Sequence, residues 1–261
     1  MIIGAQLFSL RNFAKTLDDF SETLKKVADI GYTTVQVSGT CEYEAEWLRA
    51  ELEKNGLRCD LTHYSFDGMV ADPQKVSDFH RVFDCKYIGV GSMPGMWGDA
   101  DKIDFPAITR DFAQKANVVG DAFAQNGQLL MYHNHAREYF CNIDGLNAME
   151  YLAQNVPAEK MGFTLDTHWI LAGNREPVSE IRNFAGRIPT VHLKDMCFAV
   201  DGARRFAPVG SGIMRFEPIL AAFEDAGSKI AFVEQDDCYG EDPFACLKKS
   251  FGYLQSLGLT F

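Results

Sequence analysis

The sequence has no Cys-x-x-Cys pair, no Gly-x-Gly-x-x-Gly after its first apolar run, and no polybasic segment. It also has no apolar stretch near the ~18 residues that read as a membrane span. Each absence closes a class of function. Without close cysteine pairs, neither a zinc ribbon nor a thioredoxin-like site is expected. The seven cysteines are an odd number scattered from Cys41 to Cys246, which fits free thiols in a reducing cytoplasm. Without the glycine fingerprint, the dinucleotide-binding form of an open α/β sheet loses its phosphate cradle. The N-terminus Met1-Ile2-Ile3-Gly4-Ala5-Gln6 lacks a basic region followed by a long apolar run, so no signal peptide is expected. A formal net charge of −11 opposes nucleic acid and anionic membranes as partners. It does not exclude an anionic substrate, because the local field of a pocket can oppose the net charge.

What is present fits one large core. The 261 residues are 47% hydrophobic and 23% charged, and one α/β barrel typically needs ~250. Short apolar runs alternate with longer helix-period segments. The expected strands are 2–6, 33–37, 58–63, 87–90, 129–133, 162–166, 190–194 and 230–235. Thr16 followed by Asp19 resembles a capping box, and Leu17, Phe20, Leu24 and Val27 continue it as an apolar stripe. Asp72-Pro73 reads as an N-cap and first helical residue, and Pro243 opens a last helix to Leu257. Gly31, Gly56, Gly127, Gly186 and Gly227 each close a helical run just before a strand, where a left-handed cap is wanted. Parallel strands need crossovers, and eight strand–helix units close into a (β/α)₈ barrel. The expectation is a single α/β TIM-barrel domain over residues 1–261, with an open doubly wound sheet as the structural alternative.

In such a barrel, function collects where the strands end. Those ends are rich in metal-ligand residue types. They carry His63, then His133-Asn134-His135, Asp166-Thr167-His168-Trp169, His192-Leu193-Lys194-Asp195 and Glu234-Gln235-Asp236-Asp237. Of six histidines, five lie at strand ends and only His80 falls within a helical run, a concentration that chance scatter would not give. A mixed imidazole and carboxylate set suits Mn²⁺, Co²⁺, Fe²⁺ or Zn²⁺ better than Ca²⁺. Each residue also has a plain structural reading: a hydrogen-bonded core histidine, Asp166 as a helix cap, Lys194-Asp195 as a rim ion pair. Trp97 in the loop 92–105, Tyr64 and Trp169 could cover a sugar face. Arg11, Arg204 and Arg205 could take an anionic group. Gly210-Ser211-Gly212 could offer N–H groups to an anion or form only a turn.

At these residues the chain resembles the sugar phosphate isomerases/epimerases of the xylose isomerase-like TIM barrel superfamily. The resemblance rests on Thr190-Val-His-Leu-Lys-Asp195, on Leu165-Asp-Thr-His-Trp169 with Ala172-Gly173 and Pro177, and on Tyr132-His-Asn-His135 with Glu138. Val209-Gly-Ser-Gly212, Val233-Glu-Gln-Asp236 and the opening Gln6-Leu-Phe-Ser-Leu-Arg11 complete it, so it covers essentially the whole chain. It implies one divalent ion, Mn²⁺ first and Co²⁺, Zn²⁺, Fe²⁺ or Mg²⁺ otherwise, held by Asp166, His192 and Glu234. Relatives place a glutamate at the end of the fifth strand. Here strand alternation puts His133 there as fourth ligand, with His135 or Glu138 as substitutes.

The resemblance further implies a carbohydrate substrate whose proton next to a carbonyl is removed, giving an enediolate. Epimerases of the superfamily set two glutamates on opposite faces of that intermediate, and this chain offers only Glu234. The second acid/base is then His63, His133, His135 or Lys194, and Trp97, Trp169 and Arg205 bind the substrate. The expected activity is that of a sugar isomerase or epimerase. A lyase using the same first step, dehydrating an inosose or cleaving a keto-glycoside, is the runner-up, and a non-catalytic sugar-binding barrel is a third reading. A related zinc endonuclease would need more ligands than six histidines on separate strand ends suggest. Relatives form dimers or tetramers, so a homo-oligomer is possible.

Overall fold

The chain alternates strand and helix almost throughout. The computed structural model describes residues 1–261, the side chain of residue 100 excepted. Its strands are β1 (Ile2–Gln6), β2 (Thr34–Val37), β3 (Arg58–His63), β4 (Tyr87–Val90), β5 (Leu129–His133), β6 (Met161–Asp166), β7 (Thr190–Leu193), β8 (Asp195–Phe198), β9 (Arg204–Ala207) and β10 (Ile230–Val233). Eight of these form a closed parallel barrel in the order β1-β10-β7-β6-β5-β4-β3-β2. The other two, β8 and β9, pair antiparallel as a ribbon inserted after β7. The sequence cadence did not reveal this ribbon. The helices are α1 (Leu17–Ile30), α2 (Ala45–Lys54), α3 (Phe66–Ala71), α4 (Pro73–Arg81), α5 (Phe105–Gln125), α6 (Ala148–Asn155), α7 (Thr167–Ala172), α8 (Pro177–Asn183), α9 (Phe216–Asp225) and α10 (Pro243–Ser256).

Local chemistry sets the helix ends. Thr16 Oγ1 accepts the Asp19 N–H at 3.1 Å, but Asp19 returns to the Thr16 hydroxyl and not to its backbone N–H, so the capping box is half made. Phe20, Leu24 and Val27 are fully buried, whereas Leu17, on the first turn, is 41% exposed. The five glycines expected to stop helices all adopt positive φ.

Two apolar regions follow from the barrel. The larger lies between the strands and the helices; the smaller, Leu61, Met131, Ile230 and Phe232, fills the barrel itself. Large and small residues alternate around that interior. A Cβ on Gly4 would fall 2.8 Å from the Phe232 ring, and one on Gly162 would fall 3.0 Å from the Met131 sulfur. The barrel is therefore plugged below its mouth, and polar residues one step further along each strand stand on an apolar floor.

A β-bulge sets one of those residues. Val35 pairs Cys59 but Gln36 pairs Leu61, so Asp60 is an extra residue in β3. The insertion flips the alternation. Leu61 and His63 face the barrel interior, and Thr62 faces out to His80 of α4, its Oγ1 2.9 Å from Nε2.

Candidate metal centre

Four side chains meet at the barrel mouth. One ligand-type atom from each of His133, Asp166, His192 and Glu234 lies within 4.8 Å of the others, and all four residues are buried. They come from the ends of β5, β6, β7 and β10. Parallel pairing in register puts Asp166 opposite His192 and Val233, just before Glu234, opposite Leu193.

Each member uses its outer atom on the protein. His133 Nδ1 donates to the Gly91 carbonyl at 3.2 Å, leaving Nε2 facing Asp166 Oδ2 at 3.3 Å. Asp166 Oδ1 caps α7 by accepting the Trp169 N–H at 3.0 Å, and the Asp166 N–H is held by Asn134 Oδ1 at 2.8 Å. His192 Nε2 donates to Gln36 Oε1 at 2.6 Å. Glu234 Oε1 accepts from Gln6 Nε2 at 3.0 Å, and Gln6 Oε1 in turn takes the Phe8 N–H at 2.7 Å. The inner atoms are left converging. His192 Nδ1 and Glu234 Oε2 are 2.9 Å apart, and neither has a hydrogen bond of good geometry. Inner carboxylate oxygens that meet imidazole nitrogens in a buried site call for positive charge, which the Lys194 ammonium beside them supplies in part, and outer partners that fix each ring and carboxylate are what a metal site requires. The donor set thus fits a divalent ion.

Electrostatics agree. Burial would raise the Asp166 carboxyl, but the Lys194 ammonium and the His133 and His192 rings hold it well below the usual carboxylate range. Burial likewise opposes the Glu234 charge, and Lys194 and His192 overcome it. Burial lowers His192, but Glu234 and Asp166 outweigh burial and raise it. His133 is lowered, burial outweighing Asp166.

The cleft above this group has a volume of about 380 Å³ and is lined by Phe8, Ser38, His63, Trp97, His135 and Asp236, among others. His63 stands beside the His133 and His192 rings, at 5.4 and 5.9 Å, with Nδ1 3.3 Å from Ser38 Oγ and Nε2 without a partner. Burial and the neighbouring imidazoles His133 and His192 push it well below the ordinary histidine range. Burial does the same to His135, followed by His133. Both rings thus favour the neutral form more strongly than an ordinary imidazole does. His135 sits between Trp97 at 5.0 Å and Trp169 at 5.2 Å. Trp97 is half exposed at the rim, whereas Trp169 is not in the cleft lining and packs against His135. His135 and Glu138 lie outside the four-residue group. Glu138 accepts from the Tyr132 hydroxyl at 2.7 Å, and burial pushes its carboxyl up to about 7.

Lys194 is not paired with Asp195 at the rim. Its Nζ is buried against Asp166 Oδ2 at 3.0 Å, Glu234 Oε2 at 2.9 Å and Asp236 Oδ2 at 3.2 Å. Burial opposes its charge, but these three carboxylates raise its pKa, so it stays an ammonium: a donor and not a base. Asp195 turns away, and its carboxylate accepts the N–H groups of Met196, Gly210, Gly212 and Met214 at 2.7–3.2 Å. The Gly210 and Gly212 N–H groups are thus spent on the loop and not on a ligand. Arg205 lies on the exposed ribbon with its guanidinium 4.7 Å over the Tyr239 ring, outside the cleft lining. Arg204 is instead 5.6 Å over Trp169, and Arg11 is tied to the Phe8 carbonyl at 2.8 Å. Tyr64 packs edge-on against His80. Gln6, Gln36 and Asn134, which hold three of the four group members, were assigned no role from the sequence. Their only signal is a polar residue at or just past the end of an apolar strand.

A family model described as xylose isomerase-like TIM barrel matches residues 24–257. Two relatives are inosose dehydratases. That of Geobacillus thermodenitrificans is 25% identical over 53% of this chain, and the chain spans about half of that relative's length (51%). That of Geobacillus kaustophilus is 24% identical over 90% of this chain and 86% of its own. Among solved structures, a sugar phosphate isomerase/epimerase from Parabacteroides distasonis superposes with a TM-score of 0.80 at 22% identity, covering 97% of this chain and 93% of that one. A xylose isomerase-like TIM barrel protein from Mycobacterium smegmatis, in complex with magnesium, gives 0.76 at 16% identity, covering 98% and 96%. At these identities the solved structures establish a shared fold.

Proposed function

The chain belongs to the xylose isomerase-like TIM barrel family, and from that premise we propose that it is a divalent-metal-dependent enzyme that removes a proton next to a carbonyl of a keto-sugar or polyol-derived ketone. The observation that carries this reading is the convergence of the inner atoms of His133, Asp166, His192 and Glu234 on one point under a cleft. A bound ion, Mn²⁺ first among the candidates, would polarise the carbonyl and its neighbouring hydroxyl and make the α-proton acidic.

The chain's own groups divide the remaining work. Glu234 is the base, its carboxylate fixed in the site by the Gln6 amide. Lys194 supplies N–H donors beside it and holds its charge. Trp97 and Phe8 give the substrate an apolar wall against which a sugar face can lie, and His63 offers an unpaired Nε2. Isomerisation or epimerisation of the resulting enediolate is the first reading. Loss of water is the second, favoured by one observation. The group holds a single glutamate, and Lys194 beside it stays an ammonium, whose N–H groups can steady a departing hydroxyl by hydrogen bonding.

Elemental analysis of the purified protein beside a His192→Ala variant tests the centre. About one transition-metal ion per chain, lost in the variant, is expected; no ion in either after incubation with Mn²⁺, Co²⁺ and Zn²⁺ overturns the proposal. Solvent deuterium exchange into keto-sugars and inososes then tests the chemistry. Glu234→Gln should abolish exchange even at saturating metal, and full exchange in that variant would remove Glu234 as the base.

A further inference from the structure

We propose that Lys194 is a resident counter-ion of the metal centre, competing with the divalent ion for the inner oxygens of Asp166 and Glu234. The inference rests on the metal-binding reading above. An ammonium has three N–H donors, and Lys194 Nζ has three carboxylate partners: Asp166 Oδ2 at 3.0 Å, Glu234 Oε2 at 2.9 Å and Asp236 Oδ2 at 3.2 Å. The first two are the oxygens that face the imidazole nitrogens of His133 and His192. Neither carboxylate can offer its other oxygen instead, because Asp166 Oδ1 caps α7 and Glu234 Oε1 is held by Gln6. The ammonium and a divalent ion therefore seek the same two atoms in a buried site, where like charges repel strongly.

The surroundings give Lys194 a second place to stand. Asp236 is outside the four-residue group, and its side chain is the one partner of the three with appreciable exposure, 21%, on the cleft lining. The Trp169 and Phe206 rings lie 5.4 and 5.7 Å from Nζ and face the cation. Without the ion, Lys194 keeps two buried carboxylates from standing uncompensated. With the ion, it yields those oxygens, keeps Asp236, and turns its freed N–H groups to the substrate space. One residue thus preserves the apo site and sets how tightly the ion is held.

The test compares Mn²⁺ affinity, by titration against a fluorescent chelator at fixed pH, in the wild type and in Lys194→Met, together with melting temperatures with and without Mn²⁺. Lys194→Met should bind Mn²⁺ roughly tenfold or more tightly, since a competing positive charge a few ångströms away has gone. Its metal-free form should melt below that of the wild type, and Mn²⁺ should raise its melting temperature by more. A lysine that merely fills space would lower both quantities. If Lys194→Met does not fold without metal, Lys194→Gln, which keeps polar contacts without the charge, is read by the same comparison. Equal or weaker Mn²⁺ binding in the variant, with a wild type that binds, overturns the competition and leaves the metal reading standing. Should neither protein bind Mn²⁺, Co²⁺ or Zn²⁺, both readings fall together.

Discussion

His192 meets its surroundings with both nitrogens, and the outer one decides what the inner one can do. With Nε2 donating to Gln36 Oε1 at 2.6 Å, the ring is fixed in the orientation that directs Nδ1 at Glu234. Gln36 is fully buried and its own Nε2 has no partner, so replacing it by leucine removes an unsatisfied polar atom along with the acceptor. Gln36→Leu should therefore leave the fold intact and weaken metal binding by about 10–100-fold, the usual cost of losing such an outer partner. Titration with Mn²⁺ checks it, and unchanged affinity would show that packing alone orients the ring. The four converging residues were legible in the sequence, Asp166, His192 and Glu234 through the family resemblance and His133 through alternation along its strand. Their supports were not. Glutamine is not a typical ligand, and Gln6 and Gln36 act across 228 and 156 residues of chain, which no local pattern carries. Arg205 was misplaced for a related reason: without the ribbon in view, nothing distinguished its face from that of Arg204.

The segment from β8 through β9 to residue 214 is tied to the barrel through Asp195. One buried carboxylate gathers four backbone N–H groups, from Met196 at the start of β8 and from Gly210, Gly212 and Met214 beyond β9. Gly212 has to be a glycine, because a Cβ there would collide with the Met196 carbonyl and the Asp195 carboxylate. Removing the acceptor strands several donors at once, each worth about 1–3 kcal/mol when left buried and unsatisfied. Asp195→Ala should destabilise the protein by more than about 3 kcal/mol, or loosen the segment enough for a protease to cut it first. Urea unfolding and timed proteolysis separate the two. A variant matching wild type in both would mean that the loop holds itself. Most helix and strand bounds were legible from caps, glycines and apolar runs. The ribbon and the β3 bulge were not. A ribbon of two four-residue strands has too few residues to establish a period, and a bulge is a relation between strands.

At the scale of the whole molecule, the barrel was announced by eight recurrences of strand and helix. Its plugged floor was not, because the pairing of Gly4 with Phe232 and of Gly162 with Met131 arises only once the strands are in register. Stability of this assembly should depend on acidity through histidines that never meet water. His80 joins α4 to β3. Nδ1 donates to the Val76 carbonyl at 2.7 Å, and Nε2 meets Thr62 Oγ1. Burial lowers it to about 4 against 6.5 for a free ring. Between those two values the unfolded chain takes up a proton that the folded ring refuses. Its contribution is therefore complete above pH 6.5 and is lost as pH falls toward about 4, amounting to about 3 kcal/mol over that window. His168, lowered to about 4 chiefly by burial, acts in the same direction. Glu138, raised to about 7 by burial, acts in the opposite one, favouring the folded state in acid and losing that contribution as pH rises through about 7. The wild-type profile is thus a difference between opposing slopes, and a variant isolates one of them. His80→Gln keeps a polar partner for Thr62 and removes the titration. Its stability deficit against wild type should be largest near pH 7 and shrink steadily on acidification, with the two urea-unfolding curves converging by a slope of up to one proton. Parallel profiles would show that His80 titrates alike in the folded and unfolded chain, and that its burial carries no acid sensitivity.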